Sequence, residues 1–194
     1  MKRITVYCGS STGSDPEYKK QAYALGQLLA EQKIGLVYGG GKVGLMGELA
    51  NGALDAKGEV IGVIPAFLEE KELAHPDASE MIVTQTMHER KEKMCSLGDG
   101  FIALPGGFGT LEELFETVTW AQLGLHRKPI GLLNTGGYFD ALLRFIDETI
   151  EKKFIKPEYR SLLLVGEQPS DLLGQMRTFV PCRNEKWFEP ARII

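Results

Sequence analysis

Two carboxylates just behind a cluster of glycines are a combination with chemical content. They stand in LPGGFGTLEE, residues 104–113, where Gly106, Gly107 and Gly109 precede Thr110, Glu112 and Glu113. Glycine lets a backbone approach a ligand closely, and the first amides of a helix point at whatever anion sits there. A carboxylate beside such an anion can take a proton or face a positive charge. The spacing also has a plain structural use. Thr110 and Glu113 fit T-x-x-E, the capping box, in which the glutamate reaches back to the backbone amide of the threonine. Spacing alone does not separate the two uses. The Pro-Gly-Gly-x-Gly in front favours a site, because capping needs no triple glycine.

Two further turns have the same character: CGSSTG at 8–13 and YGGGKVGLMG at 38–47. They add Gly9, Ser10, Gly40, Gly41 and Gly44 as candidates for phosphate or nucleotide loops. One such turn would be read as a tight bend. Three on one edge of a sheet favour an anion or nucleotide site, since ligands of open parallel sheets bind at the carboxyl ends of the strands. The run GGGKVG, 39–44, formally matches G-x-G-x-x-G, but it follows the second strand, and the acid about twenty positions on, Glu59, precedes the third. Arg90 and Lys91 lie in MHERKEKM, which by pattern alone is a solvated helix with charges at helical spacing. His75, His88 and His126 share no ligand spacing, so no metal site is expected.

The elements that must position these residues alternate along the chain. Strands are expected at 3–9, 34–41, 59–65, 80–86, 100–107, 128–134 and 161–166. Helices are expected at 15–33, 44–58, 87–99, 110–126, 138–154 and about 169–179, the first with Asp15 as cap and Pro16 in its first turn. The strands are rich in Val, Ile and Leu without clean alternation, as in a sheet covered on both faces. The pattern predicts a Rossmann-like, doubly wound α/β fold with a mostly parallel sheet of about seven strands. The least regular internal stretch, AFLEEKELAHPDAS at 66–79, is a candidate loop over the site.

Length and composition bound the rest. At 194 residues, with no linker or repeat, residues 1–194 are expected to form a single domain. Roughly 70% of the unfolded surface can be buried at this size. A net charge of −4 argues against nucleic acid as a partner. It leaves room for a small phosphorylated ligand held by backbone amides. Cys8, Cys95 and Cys182 are odd in number, which suits a reducing compartment. The N-terminal apolar run is too short for a signal peptide, and no run reaches the ~18 residues of a membrane span. A cytoplasmic protein without membrane partners is expected.

The set CGSS, YGGGKVGLMG, MHERK and PGGFGTLEE, followed by TWAQLGLHRKPIGLLN, resembles the Lonely Guy family. These are cytokinin riboside 5′-monophosphate phosphoribohydrolases, once labelled possible lysine decarboxylases. The resemblance runs from about residue 3 to 180, and P-G-G-x-G-T-x-x-E matches without departure. It implies hydrolysis of the N-glycosidic bond of an N6-substituted AMP, giving a free adenine-type base and ribose 5-phosphate. It also implies Arg90 and Glu113 as the catalytic pair. Gly107, Phe108, Gly109, Thr110, Leu111 and Glu112 match the substrate loop, and Glu72, Lys91 and Thr119 match further contacts. Thr119, six residues past Glu113, does not share its helix face. No cofactor or metal is implied. A homodimer with sites near the subunit interface is.

On this reading the glycines close backbone amides around a 5′-phosphate and Glu113 lies beneath the ribose. N-glycoside cleavage develops an oxocarbenium-like sugar, which a carboxylate stabilises. A guanidinium is a poor acid, so Arg90 would position the phosphate or Glu113 and hold that carboxylate ionised. The alternative is a non-catalytic nucleotide- or cofactor-binding protein in which Glu113 only caps its helix. A decarboxylase would need a Schiff-base lysine for pyridoxal phosphate, and the glycine motifs offer only Lys42.

Overall fold

In the computed structural model, residues 1–69 and 74–181 are described. Among these residues seven strands form one sheet: β1 (Arg3–Tyr7), β2 (Gly35–Tyr38), β3 (Val60–Pro65), β4 (Glu80–Thr84), β5 (Phe101–Ala103), β6 (Ile130–Leu133) and β7 (Leu163–Gly166). Their order is β4-β3-β2-β1-β5-β6-β7. Every pairing is parallel, as with Ile4 beside Leu36 and Thr5 beside Phe101. The chain builds outward from β1 to one edge, then returns to start again at β5. The reversal between β1 and β5 opens a crevice at the carboxyl edge, where ligands bind in such sheets.

The helices are α1 (Pro16–Glu31), α2 (Gly44–Asp55), α3 (Ala66–Glu69), α4 (Met87–Leu97), α5 (Phe108–Gln122), α6 (Asp140–Glu151) and α7 (Pro169–Thr178). Successive strand residues point to opposite faces, and two cores result. Ile4, Val6, Leu36, Tyr38 and Ile102 pack with Leu25, Leu49 and Leu172 beneath α1, α2 and α7. Tyr7, Val37, Val63 and Phe101 pack with Met94, Leu114 and Ile146 beneath α4, α5 and α6. Both faces are therefore covered, which is why the strands lack alternation.

Local signals act as expected at α1, where the Asp15 carboxylate accepts from the Glu17 amide at 2.9 Å and Pro16 occupies the first turn. At α4 the Thr86 hydroxyl accepts from the Glu89 amide at 3.1 Å, and Glu89 accepts from the Gln85 amide at 2.8 Å. The chain thus uses a T-x-x-E cap at 86–89. At 110–113 it does not. The cap of α5 is Gly107, which has no side chain to offer, and Thr110 lies inside the first turn. The helix expected from Thr110 begins two residues earlier. The segment expected as a loop at 66–79 contributes α3 and an antiparallel bridge between Ala74 and Gly41.

Candidate active site

Gly107 ends the β5 turn and hands over to α5, whose first amides, at Phe108, Gly109 and Thr110, have no acceptor among the described residues. The first donation back along the chain is from Leu111 to the Gly107 carbonyl at 3.1 Å. Nothing lies within 4 Å of where a side chain would begin at Gly107 or Gly109. Phe108 between them is 94% exposed. This is an open helix N-terminus, and its dipole and amides favour an anion. Tyr138, at the start of the segment after β6, donates its hydroxyl to the Gly106 carbonyl at 2.6 Å and pins the turn from the far side. Sequence reading missed Tyr138. It stands outside every glycine motif and reaches the site only through the sheet order.

The β1 and β2 turns are built differently. The Gly9 amide donates to the Pro105 carbonyl at 3.1 Å, joining the β1 and β5 turns. The Leu45 amide, at the start of α2, donates to the Gly9 carbonyl at 3.0 Å. Gly44 has φ +65°, and a Cβ there would lie 2.2 Å from the Ser10 carbonyl carbon. The Gly40 carbonyl accepts from the His75 amide at 2.9 Å, and Gly41 is buried beside Met46. The glycines of 39–44 therefore fit against the rest of the protein, Gly44 against the Ser10 backbone and Gly39, Gly40 and Gly41 against the side chains of Arg90, Ile64 and Met46. Glu59 pairs with Arg3 at 2.7 Å, on the opposite side of β3 from any ribose-binding position at a strand's end.

Arg90 and Glu113 meet behind the open turn. One guanidinium nitrogen, Nη1, donates to Oε1 of Glu113 at 3.0 Å, and Nε donates to the Val63 carbonyl at 3.0 Å. Arg90 is 9% exposed and Glu113 8%. The solvated-helix expectation for 87–94 is thus overturned at Arg90 and Lys91, while His88, Glu89, Glu92 and Lys93 stay exposed. Those two charges are drawn inward by partners on β3 and α5 that no local pattern reveals. Burial pushes the Glu113 carboxyl above its ordinary value, Arg90 pulls it down, and Glu112 and Lys91 act in opposite senses from further off. Cys8 lies close enough to feel Glu113, though burial dominates in pushing its thiol up. Tyr7 bonds Thr117 at 3.0 Å, and Thr117 donates to the Glu113 carbonyl at 2.9 Å, fixing this turn of α5.

Lys91 is buried and holds the carboxylates of Glu112 and Glu116, the latter at 3.1 Å. Burial works to lower its pKa, but the two carboxylates outweigh burial and raise it. A Schiff-base lysine needs the reverse, a depressed pKa, and Lys42 is exposed. Neither suits pyridoxal phosphate. Leu111 packs partly into the core. Thr119 is exposed, and its hydroxyl donates to the Phe115 carbonyl at 2.7 Å, away from Glu113. Glu72 lies outside the described residues. No three His, Cys, Asp or Glu among the described residues converge as metal ligands.

Fold and site together define an open parallel α/β protein with an unobstructed helix start beside a buried Arg–Glu pair. Residues 46–176 match the family model described as possible lysine decarboxylase. Two cytokinin riboside 5′-monophosphate phosphoribohydrolases of Arabidopsis thaliana are 47% and 46% identical, covering 93% and 96% of this chain and 83% and 87% of their own. A probable enzyme of the same name from Oryza sativa subsp. japonica is 46% identical over 93% of this chain and 80% of its own. The chain belongs to this family, the Lonely Guy phosphoribohydrolases.

Solved structures share the fold. The molybdenum cofactor binding protein of Rippkaea orientalis superposes with TM-score 0.69 at 24% identity, covering 92% of this chain and 97% of its own. The molybdenum cofactor carrier protein of Chlamydomonas reinhardtii gives 0.68 at 21%, covering 91% and 98%.

Proposed function

We propose that this protein hydrolyses the N-glycosidic bond of N6-substituted adenosine 5′-monophosphates, releasing the free base and ribose 5-phosphate. The observation that carries the reading is the buried Arg90–Glu113 pair one helical turn behind the open amides of Phe108, Gly109 and Thr110. From Gly109 to Glu113 the helix rises about 6 Å, close to the reach from a 5′-phosphate to the anomeric carbon. The phosphate sits on the amides, and Glu113 faces the ribose.

In the reaction the bond from C1′ to the base breaks, and its electron pair leaves with the base, which takes up a proton from solvent. Positive charge develops on the sugar and is met by the Glu113 carboxylate. Water then bonds to C1′ and gives its proton to that carboxylate, which returns it to solvent. Arg90 opposes the upward push of burial on Glu113, so that more of the carboxyl is ionised at neutral pH. Lys91 holds Glu112 at the rim of the turn. Gly107, Phe108, Gly109, Thr110, Leu111 and Glu112 form the substrate loop, with Glu72 and Thr119 as further contacts. The non-catalytic alternative required Glu113 to cap α5, and that cap is Gly107.

The protein acts as a homodimer on this reading. Only Ile146 of α6 is buried, Phe145 is 64% exposed, and Phe115 of α5 is also exposed. Since α5 carries Glu113 and Thr119 as well, a second copy on this face would lie beside the site. Light scattering at micromolar concentration should give twice the chain mass, and a monomer would refute this. No helix among the described residues is long and apolar enough to cross a membrane. The free, buried thiols of Cys8 and Cys95 support a cytoplasmic location.

A panel of nucleoside 5′-monophosphates, with the matching nucleosides as controls, tests the function. Free base should appear from N6-substituted AMP, and nucleosides should react far more slowly. No base from any monophosphate, or equal kcat/KM with and without phosphate, would overturn the reading.

A further inference from the structure

The Arg90 guanidinium has three nitrogens, and two have hydrogen-bond partners: Nε on Val63 and Nη1 on Glu113. The third, Nη2, lies against the last turn of β2. A Cβ built on Gly39 would be 2.2 Å from Nη2 and 3.1 Å from the Met46 Sδ. Real atoms do not approach to 2.2 Å, so a side chain at Gly39 and the observed place of Arg90 exclude each other. Gly39 differs from its neighbour Gly40, whose φ is +77°. Gly39 has no positive φ, so its backbone would accept alanine. What forbids a side chain there is the guanidinium.

We infer that Gly39 is a positioning residue for the pair: its missing side chain is the space that lets Arg90 cross the end of β2 and reach Glu113. The consequence for catalysis rests on the function proposed above. The far end of an arginine is flexible, so Gly39→Ala need not unfold the protein. It must move the guanidinium, however, and so break the geometry with Val63 and Glu113. A misplacement of about 1 Å can cost on the order of 10² in rate.

The test is a cycle of wild type, Gly39→Ala, Arg90→Lys and the double variant. It is read by kcat and KM on N6-substituted AMP, by melting temperature, and by titration of the Glu113 carboxyl in carbon NMR, assigned with Glu113→Gln. Gly39→Ala should lower kcat about 10²-fold with little change in KM. Lysine lacks Nη2, so the double variant should match Arg90→Lys within about twofold. With the guanidinium displaced, Glu113 should titrate at higher pH than in wild type. Should Gly39→Ala fail to fold, Arg90→Lys should restore folding. Near-native kcat in Gly39→Ala, the same fold-loss in both backgrounds, or a misfolded double variant would overturn the inference. If the wild type releases no base, the functional reading fails. The Glu113 titration would still decide where Gly39 places Arg90.

Discussion

The two glycine-rich turns at 39–44 and 105–109 look alike as sequence and do opposite things as structure. In the first, the space left by a missing side chain is already filled: Gly44 lies against the Ser10 backbone, and Gly39 against Arg90. In the second, Gly106 is packed against Thr110 and the Gly9 amide, but Gly107 and Gly109 have nothing within 4 Å of where a side chain would begin. One turn is glycine-rich so that protein can pack on protein. The other keeps Gly107 and Gly109 open so that something else can come close. The helix starts follow the same division. The Leu45 amide of α2 is taken by the Gly9 carbonyl, whereas the first amides of α5 have no acceptor among the described residues. A formal nucleotide motif at 39–44 thus marks the packed turn, and the turn without that motif is the one open to an anion.

The sharpest way to break this comparison is to add one methyl group to each turn. Gly44→Ala must place a side chain at φ +65° and 2.2 Å from the Ser10 backbone. Loss of about 3 kcal/mol or more is expected, or roughly 6–12 °C in Tm for a chain of this size. Chemical and thermal denaturation would measure it. Unchanged stability would show that the turn is not packed as described. Gly109→Ala should do the reverse. Inside a helix alanine is favoured over glycine by up to ~1 kcal/mol, so stability should hold or rise slightly. The methyl group then stands where the phosphate is proposed to bind, and KM for the monophosphate should rise about tenfold, the equivalent of 1.4 kcal/mol. An unaltered KM would remove Gly109 from the phosphate site. The smallest effect is expected from Tyr138→Phe, which takes the hydroxyl off the Gly106 carbonyl. A stability loss of about 0.5–1.5 kcal/mol with KM raised about threefold would place Tyr138 as a support of the open turn. A change in kcat alone would not fit that role.

Much of the fold was legible because apolar runs and turn residues agreed. All seven strands and the six longer helices fall where the alternation predicts them. The strand ends ran too far, as at 100–107 against Phe101–Ala103. Leu104 and Pro105 remain buried after the ladder stops, and hydrophobicity reports burial rather than pairing. The start of α5 was misplaced because residue type pointed to Thr110 as cap, while a glycine cap leaves no side-chain signature. Glu113 could be singled out from its motif. The burial of Arg90 could not, because its neighbours on α4 are charged and its partners, Val63 and Glu113, are 27 and 23 residues away in the chain. Tyr138 and the clash that explains Gly39 were invisible for the same reason: both depend on strands that meet only in the folded sheet.

The account stands most directly on Glu113. Glu113→Gln keeps the shape of the side chain and an oxygen that can accept from Arg90, but it removes the negative charge proposed to meet the sugar cation. Single-turnover and steady-state release of base from N6-substituted AMP should be compared for the two proteins, with thermal melting to confirm that the variant is folded. A folded variant with kcat reduced at least ~100-fold is predicted, the usual scale for losing one preorganised electrostatic group. A folded variant retaining more than about a third of wild-type turnover would contradict the assignment of Glu113 as the carboxylate that carries the reaction.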